Sequence, residues 1–382
     1  MRLSRALITL AVGFLLGVLV ESAIGFSGWF LLVAIVIAVS VGAVDLTAGS
    51  RRGFLVFLFL LSLMLGLVRS ATYREDFSKD EKTFWQGTRG FLVSKTKSIL
   101  PQNEGALFNA MVLGYEKDVS AEIKDNFNRT GTRHVMAISG MNISIVAMML
   151  MTLGVVLGLW RHQAFWFAVV GVIVFVLLVG SPASAVRAGI MGVLLLWAQN
   201  RGRLVEAWRP ITLAAFFMTV LDPTLLVFNI GFQLSFLAVI GSMYFKNFWG
   251  RIFSWLRIKW IRELVVLSMA AQTTTWPLIL YNFGTVSVVS PIANIFVVPM
   301  LTPVMFLGLG FTAVSWSGYL AQIFLWPVWL ILKITIKIVE FFGAFSWASL
   351  ELGRLGLAIF LFYPLLYLFW RYSENRGWND SL

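Results

Sequence analysis

The sequence predicts an all-α polytopic membrane protein with about 10–12 transmembrane or re-entrant helices and a small helical extracytoplasmic segment. Composition and hydropathy patterning carry that prediction. Of 382 residues, 59% are hydrophobic and only 13% are charged, whereas soluble domains average about 45–50% apolar and about 25% charged. Mean hydropathy is +0.85, and apolar runs near the roughly 20 residues needed to cross a bilayer recur along the chain. Cysteine is absent, which excludes disulfide frameworks, thiol nucleophiles and Cys-based zinc sites. The two histidines, His134 and His162, are too few for a multi-histidine metallohydrolase centre. No catalytic residue, metal or cofactor is expected.

The apolar runs fall at about 6–20, 28–44, 54–68, 135–160, 164–180, 183–198, 210–221, 224–245, 264–281, 286–313, 319–332 and 355–370. The first follows Arg2 and Arg5 as a signal peptide would, but the triplet Glu21-Ser22-Ala23 places a charge where cleavage needs a small residue, so a retained helix is expected. Three N-terminal spans would occupy 1–69, a helical extracytoplasmic segment 70–133, the remaining transmembrane core 134–372, and a short cytoplasmic tail 373–382. The segment 70–133 holds ten basic and nine acidic residues, with helical patterns at 85–100, 104–113 and 121–127. Helices packed on the outer ends of the spans are expected there. Runs close to Pro182, Pro210 and Asp222 are short, as broken helices around a central site are.

Orientation follows from the basic residues. With the N-terminus cytoplasmic, the inner connections carry Arg2, Arg5, Arg51, Arg52, Arg161, Arg201, Arg203, Arg209, Lys246, Arg251, Arg257, Lys259, Arg262, Arg371 and Arg376. That is half of the 30 basic residues, against five acidic ones. The net charge of +12 therefore reports orientation first and a nucleic-acid partner second. Lys333, Lys337 and Glu340 fit either a surface-lying amphipathic helix or the end of a span.

Polar groups inside spans usually face a bundle interior or a hydrated cavity. One cluster runs from Thr130-Gly131-Thr132-Arg133-His134 into Ser139-Gly140-Met141-Asn142, where Ser139 and Asn142 are expected on one helix face. A second is Ser181-Pro182-Ala183-Ser184 with Arg187, whose central charge costs about 2.5–3.5 kcal/mol on insertion scales. An internal carboxylate such as Asp222, a set of carbonyls or a phosphate-bearing substrate would offset it. Asp222-Pro223 precedes a third, Gly231-Phe232-Gln233-Leu234-Ser235-Phe236. The fourth holds Gln272, Pro277, Phe283, Pro291, Asn294 and Pro299, and its flanking prolines predict a broken or re-entrant segment around Asn294. No cluster pairs a nucleophile with a base, so enzyme chemistry has no site.

The run His134-Val135-Met136-Ala137-Ile138-Ser139-Gly140 after a Thr-Gly pair resembles the signature of the ComEC/Rec2 competence proteins, inner-membrane channels of bacterial natural transformation. Ser184 to Arg187-Ala188 with Met191, Asp222-Pro223 with Gly231 to Phe236, and the set from Gln272 to Pro299 follow in the family's order. The resemblance implies a bacterial inner-membrane protein passing single-stranded DNA inward. Arg187 would contact phosphates, and His134, Ser139, Asn142, Gln233, Gln272 and Asn294 would line the path or hold broken helices. Gly131, Gly140, Ser184, Asp222, Gly231, Pro277, Pro291 and Pro299 would be structural. The sequence departs from the family in lacking room for an OB-fold insertion and a metallo-β-lactamase-like nuclease domain. Implied partners besides DNA and membrane lipid are a separate nuclease, a DNA receptor, a cytoplasmic ATPase and a second copy of the chain. The family motif commonly reads Ser-Gly-Leu-His, and Asn142 stands at the histidine, so a proton-linked role is in doubt. Alternative readings are a secondary transporter of a small anionic solute and a membrane scaffold for separate nuclease and ATPase partners.

Overall fold

The computed structural model describes residues 3–24, 51–72, 84–200, 208–353, 361–366 and 368. The run expected at 28–44, most of that at 355–370, the tail 373–382, and Arg2, Arg201, Arg203, Arg371 and Arg376 lie outside the described residues. In chain order the helices begin with α1 (Leu3–Ile24), α2 (Arg51–Thr72), α3 (Phe84–Ile99), α4 (Gln102–Leu113) and α5 (Ala121–Arg129). They continue with α6 (Arg133–Met136), α7 (Gly140–Val156), α8 (Arg161–Leu178), α9 (Ala183–Asn200) and α10 (Trp208–Leu221). The last are α11 (Leu225–Phe228), α12 (Ile230–Ile252), α13 (Lys259–Phe283), α14 (Ser290–Val314) and α15 (Gly318–Gly343). Strands β1 (Thr285–Ser287) and β2 (Ser349–Glu351) pair antiparallel, with Val286 opposite Leu350.

Among the described residues, five helices are long and apolar enough to cross a membrane: Phe54–Thr72, Arg161–Leu178, Lys259–Phe283, Ser290–Val314 and Gly318–Gly343. Shorter apolar helices run Ala6–Ser22, Gly140–Val156, Ala183–Val193 and Trp208–Leu221. The chain is an all-α polytopic membrane protein. It divides into two compact units, Met1–Glu81 with Val186–Gln233, and Lys82–Ala185 with Leu234–Leu382. The division falls inside α9 and α12.

In the first unit, α1 lies along α2 through glycines that leave no room between the backbones. Phe14 meets Phe216 of α10 edge-on, with ring centroids 5.2 Å apart. Arg69 closes the end of α10, Nε and Nη2 donating to the Val220 and Leu221 carbonyls at 3.0 and 2.8 Å. A cation at a helix C-terminus satisfies orphan carbonyls and complements the dipole.

The second unit is built around α4, α14 and α15. Gly105 to Leu113 of α4 are buried, and Phe108 meets Phe311 of α14 edge-on at 5.7 Å. The near-neutral segment at 70–133 therefore does more than cover the ends of spans. After Gln102-Asn103-Glu104 the helix is apolar at every position but Asn109, as a helix buried in a core is. Arg89 of α3 donates to the Val179 carbonyl at 3.0 Å, closing α8, and Arg129 donates to Phe345 at 3.1 Å beyond α15.

Helices α5, α7 and α8 end in one way. Thr132, Leu159 and Ser181 donate backbone N–H groups to carbonyls five residues back, with Gly131, Gly158 and Gly180 at positive φ before them. This is the Schellman arrangement, which glycine enters without steric cost.

Three sequence expectations change. The run 135–160 is not one helix: α6 stops at Met136, residues 137–139 are extended or irregular, and α7 begins at Gly140. The run 224–245 likewise breaks at Asn229, between α11 and α12. The segment expected to break around Asn294 is instead one 25-residue helix. Pro291 sits in its first turn, where no intrahelical N–H bond is lost, while Pro299 and Pro303 are tolerated inside. Pro277 also lies inside a continuous helix, α13. Nearby, the Tyr363 hydroxyl donates to the Thr274 carbonyl at 3.0 Å.

Candidate functional site

The sequence-predicted residues divide between the two units. In the second, His134, Ser139, Asn142, Gln272 and Asn294 belong to two hydrogen-bonded clusters and one exposed position; in the first lie Arg187 and Gln233.

The first cluster forms where α7 starts. Ser139 is the N-cap, with φ −116° and ψ 172°, and not a helix-face neighbour of Asn142 as the spacing predicted. Its hydroxyl donates to Asn142 Oδ1 at 2.8 Å. The Asn142 Nδ2 then donates to the Met111 carbonyl of α4 at 2.9 Å and lies 3.6 Å from Met305 Sδ of α14. Asn142 is fully buried, so its amide ties three helices together. The Ser184 hydroxyl donates to the Ile138 carbonyl, fixing the irregular stretch ahead of Ser139.

The second cluster joins α13 to α14. Gln272 Nε2 donates to Ser290 Oγ at 2.7 Å, and Asn294 Nδ2 donates to Ser268 Oγ at 3.0 Å and to Ser290 Oγ at 3.4 Å. Gly131 seats directly on this group: a Cβ there would stand 2.6 Å from Ser290 Cβ and 2.7 Å from its Oγ. The buried Thr130 and Thr132 hydroxyls bond each other at 2.8 Å on either side. His134 is exposed, its Nδ1 3.2 Å from the Gly131 carbonyl. Asn142 meets α14 at Met305 and Asn294 belongs to its first turns, about 16 Å away along the axis.

In the first unit Arg187 is 6% exposed. Asp222 is engaged locally: its Oδ1 accepts from the Thr224 N–H at 2.9 Å and the Thr224 hydroxyl at 2.6 Å, a turn closed by a carboxylate. Gln233 Nε2 donates to the Leu226 and Val227 carbonyls at 3.1 and 2.7 Å, satisfying the end of α11. Beside it Asn229 Oδ1 accepts from Phe232 N–H at 2.8 Å, capping α12, and a Cβ on Gly231 would stand 3.2 Å from that Oδ1.

The chemistry of both clusters is neutral. Amides and hydroxyls position backbone and bind by hydrogen bonds; they do not exchange protons near neutral pH. Among the described residues, no group of three or more His, Asp or Glu is placed to hold a metal ion.

Ser268, Ser290 and Asn109 escaped sequence reading. Serines are unremarkable in apolar helices, and Asn109 sits inside an apolar run with no neighbouring motif.

The Competence family model, described as competence protein, matches residues 111–376. The chain belongs to the competence protein family. It is 30% identical over 215 residues to ComE operon protein 3 of Bacillus subtilis (strain 168), covering 56% of this chain and 27% of that one. An uncharacterized protein of Aquifex aeolicus (strain VF5) is 29% identical over 274 residues, covering 68% and 59% respectively. Competence protein ComA of Neisseria gonorrhoeae is 28% identical over 214 residues, covering 53% and 30%. The chain thus spans less than two thirds of each of these relatives. No solved structure matches it. Both polar clusters, Arg187 and Gln233 lie within the matched region.

Asn109 offers a direct test of one buried group in this competence protein. It is fully buried, and neither amide atom meets a hydrogen-bond partner among the described residues. A buried unsatisfied polar group costs about 1–3 kcal/mol, and leucine has nearly the same shape. Asn109→Leu is expected to raise the melting midpoint of the detergent-purified protein by a few degrees. A lowered midpoint would show that the amide is held by a partner.

Proposed function

We propose that this chain is a channel for single-stranded DNA in the bacterial inner membrane, passing the strand inward during natural transformation. Its N-terminus is cytoplasmic in this reading, and the basic connections face the cytoplasm. The chain itself carries no catalysis. Strand cleavage, DNA capture and motive force come from a separate nuclease, receptor and ATPase, and the channel acts as a homodimer or alone.

The observation that carries the reading is Arg187, 6% exposed on an otherwise apolar helix in a member of the competence family. A guanidinium is expensive to keep within a membrane, and such groups mark substrate pathways. A passing strand presents one phosphate per nucleotide, which a guanidinium binds through two parallel donors. His134, Ser139, Asn142, Gln233, Gln272 and Asn294 act in this reading by lining the path or holding its walls. Their bonds to backbone and to one another favour the wall-holding role.

Arg187→Ala is expected to lower transformation frequency about a hundredfold or more while the protein still inserts, the equivalent of roughly 3 kcal/mol lost at a desolvated charge. Arg187→Lys, which keeps the charge but not the fork, recovers only part. Unchanged transformation in Arg187→Ala would remove the residue from the path. Solute counterflow by the reconstituted protein without DNA passage would replace the channel by a transporter of a small anion.

A further inference from the structure

An open groove of about 600 Å³ runs between α14 and α15 in the second unit. Phe296 and Phe342 stack on one side, with centroids 5.9 Å apart, and Trp329, Leu330 and Ile334 continue the lining. The lining is almost wholly apolar, yet two lysines stand in it. Lys333 and Lys337 are one turn apart on the same face of α15, so their ammonium groups repel. Lys337 Nζ is 2.7 Å from Glu340 Oε2, whereas Lys333 Nζ lies over the Trp329 ring, 4.9 Å from its centroid. Among the described residues Lys333 makes no ion pair. The patch therefore holds two cations and one carboxylate, and one positive charge remains to be balanced.

Helix α15 has 26 residues, about 39 Å, against a hydrocarbon core of about 30 Å. Trp316 and Tyr319 are strongly exposed at its start, and Trp347 is exposed just beyond its end, as aromatic belts are. Lys337 is residue 20 of the 26, within reach of the headgroups by snorkelling, and Lys333 stands one turn deeper.

We propose that this groove binds an anionic phospholipid, with an acyl chain along the aromatic and aliphatic lining and the phosphate held between Lys333 and Lys337. The charge balance selects an anion, and the nearly apolar lining selects an acyl chain over a nucleic-acid strand, which would need polar groups along its length. The proposal stands independently of the channel reading.

The test uses the purified full chain, exchanged into equimolar phosphatidylglycerol and phosphatidylcholine, with retained lipid counted by native mass spectrometry. Phosphatidylglycerol is expected to be retained roughly fivefold or more over phosphatidylcholine, the selectivity of about one well-placed lysine. Lys333→Gln with Lys337→Gln abolishes that preference, while Lys246→Gln, an exposed lysine on α12, leaves it intact. Ile334→Trp, which fills the groove and keeps both lysines, lowers retention of both lipids. Equal retention of the two lipids by the native protein would overturn the proposal, as would a preference that survives the double lysine change. Displacement of phosphatidylglycerol by a single-stranded oligonucleotide would also overturn it, assigning the groove to nucleic acid.

Discussion

Gly17→Leu is expected to separate α1 from α2 and destabilise the first unit by more than about 4 kcal/mol. The reason is backbone on backbone. A Cβ at Gly17 would lie 2.0 Å from the Leu63 carbonyl oxygen, 2.9 Å from its carbon and 2.9 Å from the Leu67 nitrogen. No rotamer change relieves such a contact; the helices must move apart. Gly13, four residues earlier on the same face, would meet Ser62 Oγ at 2.1 Å and the Phe59 carbonyl at 2.6 Å. Gly66 makes the reciprocal approach, with a Cβ 2.2 Å from the Phe14 carbonyl. In lipid there is little hydrophobic drive to pair helices, so association rests on this close packing. Moving α2 also moves Arg69 away from the carbonyls that it caps on α10.

The control is another glycine substitution with the opposite sign. Gly87, on α3, has nothing within 4 Å of a built Cβ. Gly87→Ala removes only backbone entropy from the unfolded chain and is expected to stabilise by about 0.5–1 kcal/mol. Gly17→Ala already meets the Leu63 carbonyl and is expected to destabilise by about 3 kcal/mol. Melting midpoints of the three detergent-solubilised variants against the native protein decide the matter; a Gly17→Ala midpoint equal to that of Gly87→Ala would refute the close approach.

The five long helices among the described residues were legible because length and apolar content alone specify them, and the polar motifs because side chains of that kind are costly in lipid. What each polar residue does was less legible. The spacing of Ser139 and Asn142 is that of a helix face, yet the pair is an N-cap and a buried cross-helix tie; the spacing does not say where α7 begins. Two prolines near Asn294 read as a break, but Pro291 occupies the one helical turn where proline loses nothing. Helix α4 looked peripheral because its surroundings are charged, although its own last nine residues are fit for a core. Gly13 and Gly17 gave no notice among 32 glycines, since only the partner helix distinguishes a contact glycine from a turn glycine.

Gly131→Ala is expected to cost about 3 kcal/mol and to reach the Gln272 and Asn294 cluster, through two separable mechanisms. The first is conformational: φ is +65° at the Schellman position ending α5, and an L side chain there costs roughly 1–2 kcal/mol. The second is steric, because the new Cβ would stand 2.6 Å from Ser290 Cβ, 2.7 Å from Ser290 Oγ and 2.9 Å from Ser287 Cβ. Ser290 Oγ accepts from both Gln272 and Asn294, so displacing it strips both amides of their shared acceptor. A double-mutant cycle separates the mechanisms. Ser290→Gly removes the two nearest of the three atoms that the new Cβ meets, and Gly131→Ala is expected to cost about 2 kcal/mol in that background, the conformational part with the remaining Ser287 Cβ contact at 2.9 Å. Ser290→Ala keeps the Cβ at 2.6 Å and is expected to relieve much less. Melting midpoints for the four corners of each cycle provide the measurement. Additive effects of Gly131→Ala and Ser290→Gly would show that the loop ending α5 does not bear on Ser290, and would detach the Thr-Gly-Thr motif from the amide cluster.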